Sequence, residues 1–398
     1  MRAGHGWVAA HETGEEPQMS SIFGTKGADK LTGKLGENNS IWGDEGDDFL
    51  YGQELADMLA GNAGNDYLSG RGGNDTLYGD EGDDTLKGGD GDDELYGGDG
   101  IDSISGGAGA DVVGAGTGDD WVDGGSGNDM IWGEAGSDTL KGGSGEDQLW
   151  GGIGSDVLYG GAGYDRIYGG EGNDTIYGGS SKDVLFGEDG DDVIYGGEGD
   201  DDMAGGAGND TISGGKGTDY VFASSGRDSY DGGSGFDTVD YSGMFGPLEI
   251  NLSKSFARVD DYEHKIRGFE QVLGTASSDL MIGDKYHNTL NGGDGDDWIR
   301  SLGGDDLIRG GGGADTFVYT KLDIADGTSD RIADFELGTD RLDMSDFLKG
   351  TNTVAKSLHV EDRGNGTMVQ AKVNGVFVDV VLLENVHMDQ AHIADLFA

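Results

Sequence analysis

The chain has 398 residues, a formal net charge of -53, 83 glycines, two prolines and no cysteine. The missing cysteine excludes disulfides, thiolate metal sites and thiol catalysis. The acidic balance argues against a nucleic-acid partner and against simple electrostatic docking on anionic lipid. So acidic a chain is expected to stay disordered unless cations supply the counter-charge.

Residues 1–23 read as an N-terminal tail, disordered or, if Met19 rather than Met1 is the start, partly untranslated. Met1 to Ser20 has one Arg and no apolar core, so it is not a Sec-type signal. No later run is apolar and long enough to span a bilayer. The main repeat block is expected over 24–242. A first repeat, Gly24 to Thr32, has Asp29 and Leu31 in place; the next, from Gly33, is one residue too long and carries Asn38 where Asp is expected.

From Gly43 to Asp240 one nonapeptide, G-G-x-G-x-D-x-U-x with U large and apolar, recurs about 22 times in one register. Gly88-Gly89-Asp90-Gly91-Asp92-Asp93-Glu94-Leu95-Tyr96 is one copy. Glycines allow a tight turn through angles closed to other residues, so that backbone carbonyls can converge. The sixth-position Asp adds an anionic oxygen, and calcium is the hard cation that seeks this mixture of carboxylate and carbonyl donors. The candidate ligands are Asp48, Asp66, Asp75, Asp84, Asp93, Asp102, Asp111, Asp120, Asp129, Asp138, Asp147, Asp156, Asp165, Asp174, Asp192, Asp201, Asp210, Asp219 and Asp237, with Asp297, Asp306 and Asp315 further on. Many calcium ions are expected: about 20 would bring roughly +40 of charge. The irregular copies Gly52 to Asp57, Gly178 to Asp183 and Ala223 to Asp228 predict weaker or empty sites.

The last three residues of each copy predict a short strand with position eight inward, as at Leu68, Leu77, Leu86, Leu95, Ile104, Ile131, Leu140, Leu149, Leu158, Ile167, Ile176 and Ile194. Two copies make one coil, so each wall repeats every 18 residues and the block would form a rod of about 50 Å. Aromatic ninth residues at Tyr78, Tyr96, Trp132, Trp150, Tyr168, Phe186 and Phe222 would line one outer face, and Tyr159, Tyr177 and Tyr195 the other. Such rows stabilise a sheet by cross-strand stacking, or serve as an apolar patch for polysaccharide, membrane or self-association.

Residues 243–273 have another texture, with strands expected at Leu248 to Leu252 and Phe269 to Leu273. A second repeat block, 274–318, carries about five copies, one with Asn288 for Asp. The tail, 319–398, predicts antiparallel strands at His359 to Asp362, Thr367 to Val373 and Val376 to Leu383, a hairpin turn at Asn374-Gly375 and a short helix or ordered end from Asp389 to Phe397. A repeat stack exposes its core at its ends, so this tail is expected to be a cap. The fold class is all-β: a right-handed parallel β-roll or β-helix of calcium-binding nonapeptide repeats with a β-rich C-terminal cap.

These features together resemble the C-terminal part of RTX proteins exported by Gram-negative type I secretion. The repeat run, the break Asp240-Tyr241-Ser242 to Gly274, and the tail motifs Ala314 to Tyr319, Asp330 to Phe335 and Gly338 to Ser345 carry the resemblance. The last two motifs are similar to the serralysin-type C-terminal targeting domain, and Ala394 to Ala398 to its secretion terminus. The resemblance implies a secreted, extracellular protein, with a type I secretion exporter as a partner and an uncleaved C-terminal export signal. At most about twenty residues precede the repeats here, too few for a domain, so the expected architecture resembles the repeat-only, NodO-like class of rhizobial nodulation proteins.

No enzyme chemistry is expected. His11-Glu12 lacks a second histidine at zinc-protease spacing, and Ser126, Ser144 and Ser234 sit in no nucleophile elbow. The expected role is an extracellular or cell-surface binding or adhesion protein, folding on calcium after export, with a polysaccharide, host or bacterial surface as partner. The alternatives are a membrane-active or pore-forming protein, for which membrane contact is needed, and a non-catalytic remnant or partner of a polysaccharide- or protein-degrading enzyme.

Overall fold

The computed structural model describes residues 19–324, 327–349 and 356–397. The first eighteen residues, with His11-Glu12, and Ala398 lie outside them. The chain forms two compact units, the first ending at Trp132 and the second beginning at Gly133. Both are parallel β-roll.

In the first unit, successive strands alternate between two sheets. One contains Met19–Phe23, Asn38–Glu45, Met58–Ala63, Thr76–Glu81, Glu94–Asp99 and Val112–Thr117. The other contains Lys30–Thr32, Phe49–Tyr51, Tyr67–Gly72, Thr85–Asp90, Ser103–Ala108 and Trp121–Ser126. Partners lie 18 residues apart, Leu86 against Ile104 and Leu77 against Leu95, and 19 apart across the long second copy, Lys30 against Phe49. The inward aliphatics expected from the repeat are all fully buried, Leu68, Leu77, Leu86, Leu95 and Ile104 among them.

Two expectations are corrected here. Met19–Phe23 is a strand paired with Asn38–Glu45, so the roll starts before the first repeat and the tail ends sooner. In the long second copy, Asn39, not Asn38, occupies the buried turn position: its Oδ1 accepts the Lys34 N–H at 2.7 Å. The extra residue is absorbed in the turn, which moves the side chain one place along.

In the regular copies the strands are also longer than three residues. Thr85–Asp90 runs through positions seven to nine and on into the next copy's first three. Gly88 and Gly89 therefore belong to a strand, with Gly89 opposite Gly107. Glycine is needed there for close stacking as much as for turning.

The second unit repeats this plan from Thr139–Ser144 through Thr238–Asp240. Residues 243–273 then depart from it. Leu248–Asn251, Phe256–Val259 and Tyr262–Arg267 form an antiparallel meander. Its outer strands pair in parallel with Leu280–Ile282 and with Ser229–Gly235, so this wall stays continuous. The opposite wall crosses the break with one strand, Gln271–Leu273, between Thr238–Asp240 and Thr289–Asp294.

The tail extends the roll before closing it. Asp330–Ile332 pairs in parallel with Leu307–Gly312, and Arg341–Asp343 with Thr316–Val318. The antiparallel strands Leu358–Asp362, Gly366–Val373 and Val376–Glu384 follow, with Val376–Glu384 docked on Asp330–Ile332. Asn374 and Gly375 form the hairpin turn with φ of 51° and 90°. Gln390–Phe397 is a 3-10 helix that buries Ile393 and Leu396.

Candidate metal sites in the turns

The repeat places its sixth residue at the edge of the roll, between two walls. All the candidate ligands are buried there, none more than 3% exposed: Asp48, Asp66, Asp75, Asp84, Asp93, Asp102, Asp111, Asp120 and Asp129 in the first unit, the rest in the second. One oxygen of each carboxylate is held by the fold. In the first unit the amides of Asp48, Asp66, Asp75, Asp84 and Asp93 donate to the Oδ1 of the aspartate 18 residues on, at 2.7–2.8 Å. In the second unit Asp138, Asp147, Asp156, Asp165, Asp174, Asp192, Asp201, Asp210, Asp219 and Asp297 do the same, at 2.7–3.0 Å.

The other oxygen is left without a hydrogen-bond partner in Asp48, Asp66, Asp75, Asp84, Asp93, Asp102 and Asp111 of the first unit. The same holds in Asp165, Asp174, Asp192, Asp201, Asp210, Asp219, Asp237, Asp297, Asp306 and Asp315 of the second. A buried carboxylate oxygen with no donor is costly unless something cationic or protonated meets it. Burial accordingly pushes these acids up: Asp75 to about 8, Asp84 and Asp192 to about 7, and Asp93 to about 6. The amide donated from the neighbouring coil pulls the other way, and adjacent carboxylates add to the rise.

The space before that oxygen is made by the first glycine of the copy. A methyl on Gly88 would stand 2.2 Å from Asp93 Oδ2 and 2.7 Å from the Gly106 carbonyl oxygen of the next coil. The same cradle recurs at Gly187, with Asp192 Oδ2 at 2.2 Å and the Gly205 carbonyl oxygen at 2.5 Å. Carboxylate and carbonyl oxygens thus converge on a spot that only glycine leaves open. Among the described residues no three His, Cys, Asp or Glu side chains gather as a metal site. The donor set is one carboxylate with backbone carbonyls, which suits a hard divalent cation. The fourth glycine serves the turn itself. Gly91 has φ of 136°, and a methyl there would meet the Gly73 carbonyl oxygen at 2.2 Å.

Six turns differ. The N–H of the second residue turns inward onto the sixth residue's side chain: Thr25 to Asp29, Lys34 to Asn39, Gln53 to Asp57, Thr275 to Asp279, Asp284 to Asn288 and Glu336 to Asp340, at 2.6–2.8 Å. In the turn of Asp228 a hydroxyl intervenes: Ser224 N–H donates to Tyr230 Oη at 3.1 Å, which donates to Asp228 Oδ2 at 2.5 Å. His264, from the meander, is fully buried beside that pair, its Nε2 3.7 Å from Asp228 Oδ2.

Of the three irregular copies, those of Asp57 and Asp228 therefore have their spare oxygen occupied. The copy of Asp183 does not: its Oδ2 is as bare as in the regular turns, and burial pushes it up to about 8. Losing the fourth glycine to Ser181 leaves that geometry intact, because Ser181 itself adopts φ of 84°. Asp340 was hidden in the sequence by its spacing, 25 residues beyond Asp315. Its signal is Asp340-Arg341-Leu342, the D-x-U core of a copy, with Leu342 buried.

The chain matches the family model described as the RTX calcium-binding nonapeptide repeat (4 copies), in overlapping segments from 23–59 to 204–239 and again over 273–308 and 282–317. The chain belongs to this family. Calcium binding is thus the activity of its repeats. No curated protein matches the chain. Among solved structures it is similar to the extracellular lipase LipA from Serratia marcescens, at 17% identity, over 59% of this chain and 40% of that one, with a TM-score of 0.19. This RTX chain thus spans less than half of that lipase, and at that score the likeness carries no argument.

The outer aromatics of this RTX roll stack on one another. Tyr78–Tyr96, Trp150–Tyr168, Tyr168–Phe186, Tyr159–Tyr177 and Tyr177–Tyr195 have centroids 4.8–5.9 Å apart and planes within 14° of parallel. Their faces meet each other, and their edges reach solvent. Ala204 interrupts the row, and Phe222 opposite it tilts against Tyr220 at 4.6 Å.

Proposed function

We propose that this RTX protein is secreted, folds on calcium outside the cell, and acts there as a binding or adhesion protein rather than as an enzyme. The observation that carries this reading is the rows of bare, buried Oδ2 atoms facing carbonyl oxygens across a glycine-made gap. The candidate aspartates with bare Oδ2 atoms are the ligands in this reading, and Asp183 joins them. Without the ion each is a buried charge with no partner, so binding and folding are coupled. Extracellular calcium sites bind in the range of roughly 0.1–1 mM, so the chain stays open in a low-calcium cytoplasm.

Export through a type I system fits the tail's resemblance to the targeting domain. Leu396, in the terminal motif, is fully buried in the folded form. An exporter that reads this terminus meets it in the unfolded chain. For the binding role, the support is a groove of about 670 Å³ in the second unit, lined by Trp150, Ile153, Tyr168, Glu171, Glu188 and Asp189. Ring edges beside carboxylates suit a hydroxyl-rich or cation-bridged surface such as polysaccharide.

Circular dichroism of the full chain during calcium addition tests the folding step. A cooperative gain of β signal is expected, and full β signal in excess chelator would overturn it. Co-sedimentation with exopolysaccharide, against dye release from anionic liposomes, both with calcium, separates adhesion from membrane activity.

A further inference from the structure

We propose that the backbone handedness of each turn's second residue decides whether that turn takes calcium, so that the turns closed by their own N–H are permanently ion-free. This rests on the calcium reading above. Wherever a described turn leaves Oδ2 bare, its second residue has positive φ. This holds beyond glycine: Asp44, Asn62, Arg71 and Glu188 take φ of 84°, 78°, 81° and 77°. It holds for the copy of Asp183, where Gly179 has φ of 120°. In none of the six closed turns does the second residue have positive φ.

The cause is geometric. A left-handed second residue keeps register with the neighbouring coil, as Gly89 does opposite Gly107. A residue with ordinary φ leaves the strand early. Phe49–Tyr51 stops after three residues, and the Gln53 N–H swings onto Asp57. Strand length alone does not decide: Trp298–Arg300 is as short, yet Leu302 holds φ of 76° and Asp306 Oδ2 remains bare. An N–H aimed at the carboxylate occupies the lone pair an ion would take and places a partial positive charge there.

A second observation agrees. The two asparagines that stand at the turn position, Asn39 and Asn288, both sit in closed turns. A neutral amide oxygen can accept an N–H but offers a cation no charge. Placement fits too. In the first unit the closed turns are at its start, 24–29, 33–39 and 52–57; in the second they follow the meander, at 274–279 and 283–288, and lie in the tail, at 335–340. An ion held between coils needs donors from two of them, which a row's end lacks; Asp57 is closed although it lies between Asn39 and Asp75, with a coil on each side.

Native mass spectrometry of the calcium-loaded full chain tests this by counting ions. Asp75→Asn is expected to lower the count by one, and Asp57→Asn to leave it unchanged. If Asp57→Asn lowers the count as Asp75→Asn does, the handedness rule is wrong. If neither changes it, the sixth-position calcium reading itself fails. Should Asp57→Asn not fold, Gln53→Gly with Leu55→Gly decides: gaining one ion supports the rule, and an unchanged count overturns it.

Discussion

At the residue scale each part of the nonapeptide has a separate physical duty, and substitutions should fail differently. Gly88→Ala puts a methyl where Asp93 Oδ2 and a carbonyl converge. We expect loss of one bound calcium and a stability cost of about 1–3 kcal/mol, read by ion counting and thermal melting with calcium. The raised carboxyls make a further prediction. Asp75 and Asp183 near 8, and Asp84 and Asp192 near 7, lie above the unfolded value of about 3.9. Between those limits the ion-free fold holds more protons than the unfolded chain, so its stability falls as pH rises through that window. Acid should therefore partly replace calcium. In metal-free buffer, β signal should grow as pH drops from 8 toward 4, and a flat profile would contradict it.

At the scale of strands and turns, the repeat made most of the roll legible. The 18-residue register, the inward Leu and Ile column and the tail hairpin at Asn374-Gly375 follow from periodicity and turn chemistry. What periodicity missed were contacts made across the sequence. The Phe256–Val259 and Tyr262–Arg267 strands carry no repeat, and Asp340 reaches its row over a longer connection. The sign of φ at the second position was half visible. Glycine there signals an open turn, but Asp44, Asn62 and Arg71 adopt the same angle because neighbouring coils impose it, at a cost of order 1 kcal/mol each. The columns themselves should be sensitive. Leu149→Ala removes a fully buried rung, and a loss of about 2–5 kcal/mol is expected in calcium-loaded unfolding. Tyr177→Ser, which breaks stacking with both Tyr159 and Tyr195, should cost about 1–3 kcal/mol, since two aromatic pairs of roughly 0.5–1.5 kcal/mol are lost.

At the scale of the whole molecule, charge governs. A net -53 must be met by cations before the chain can condense. Magnesium demands tight octahedral geometry and sheds water reluctantly, whereas calcium accepts irregular oxygen sets. Magnesium at equal concentration should therefore leave the chain unfolded by circular dichroism. The strict register has one more consequence, for inheritance rather than for binding. With partners 18 residues apart, the length of the roll is quantised. Removing residues 160–177 deletes one coil, rejoins Tyr159 to Gly178 and keeps every later residue on its own wall. Removing residues 160–168 alone would send every later residue to the opposite wall, with Tyr177 then opposite Trp150 and Phe186 opposite Tyr159. Whole coils are thus the units in which such a gene can lengthen or shrink while every residue keeps its own wall, and each unit carries its own pair of turns with it.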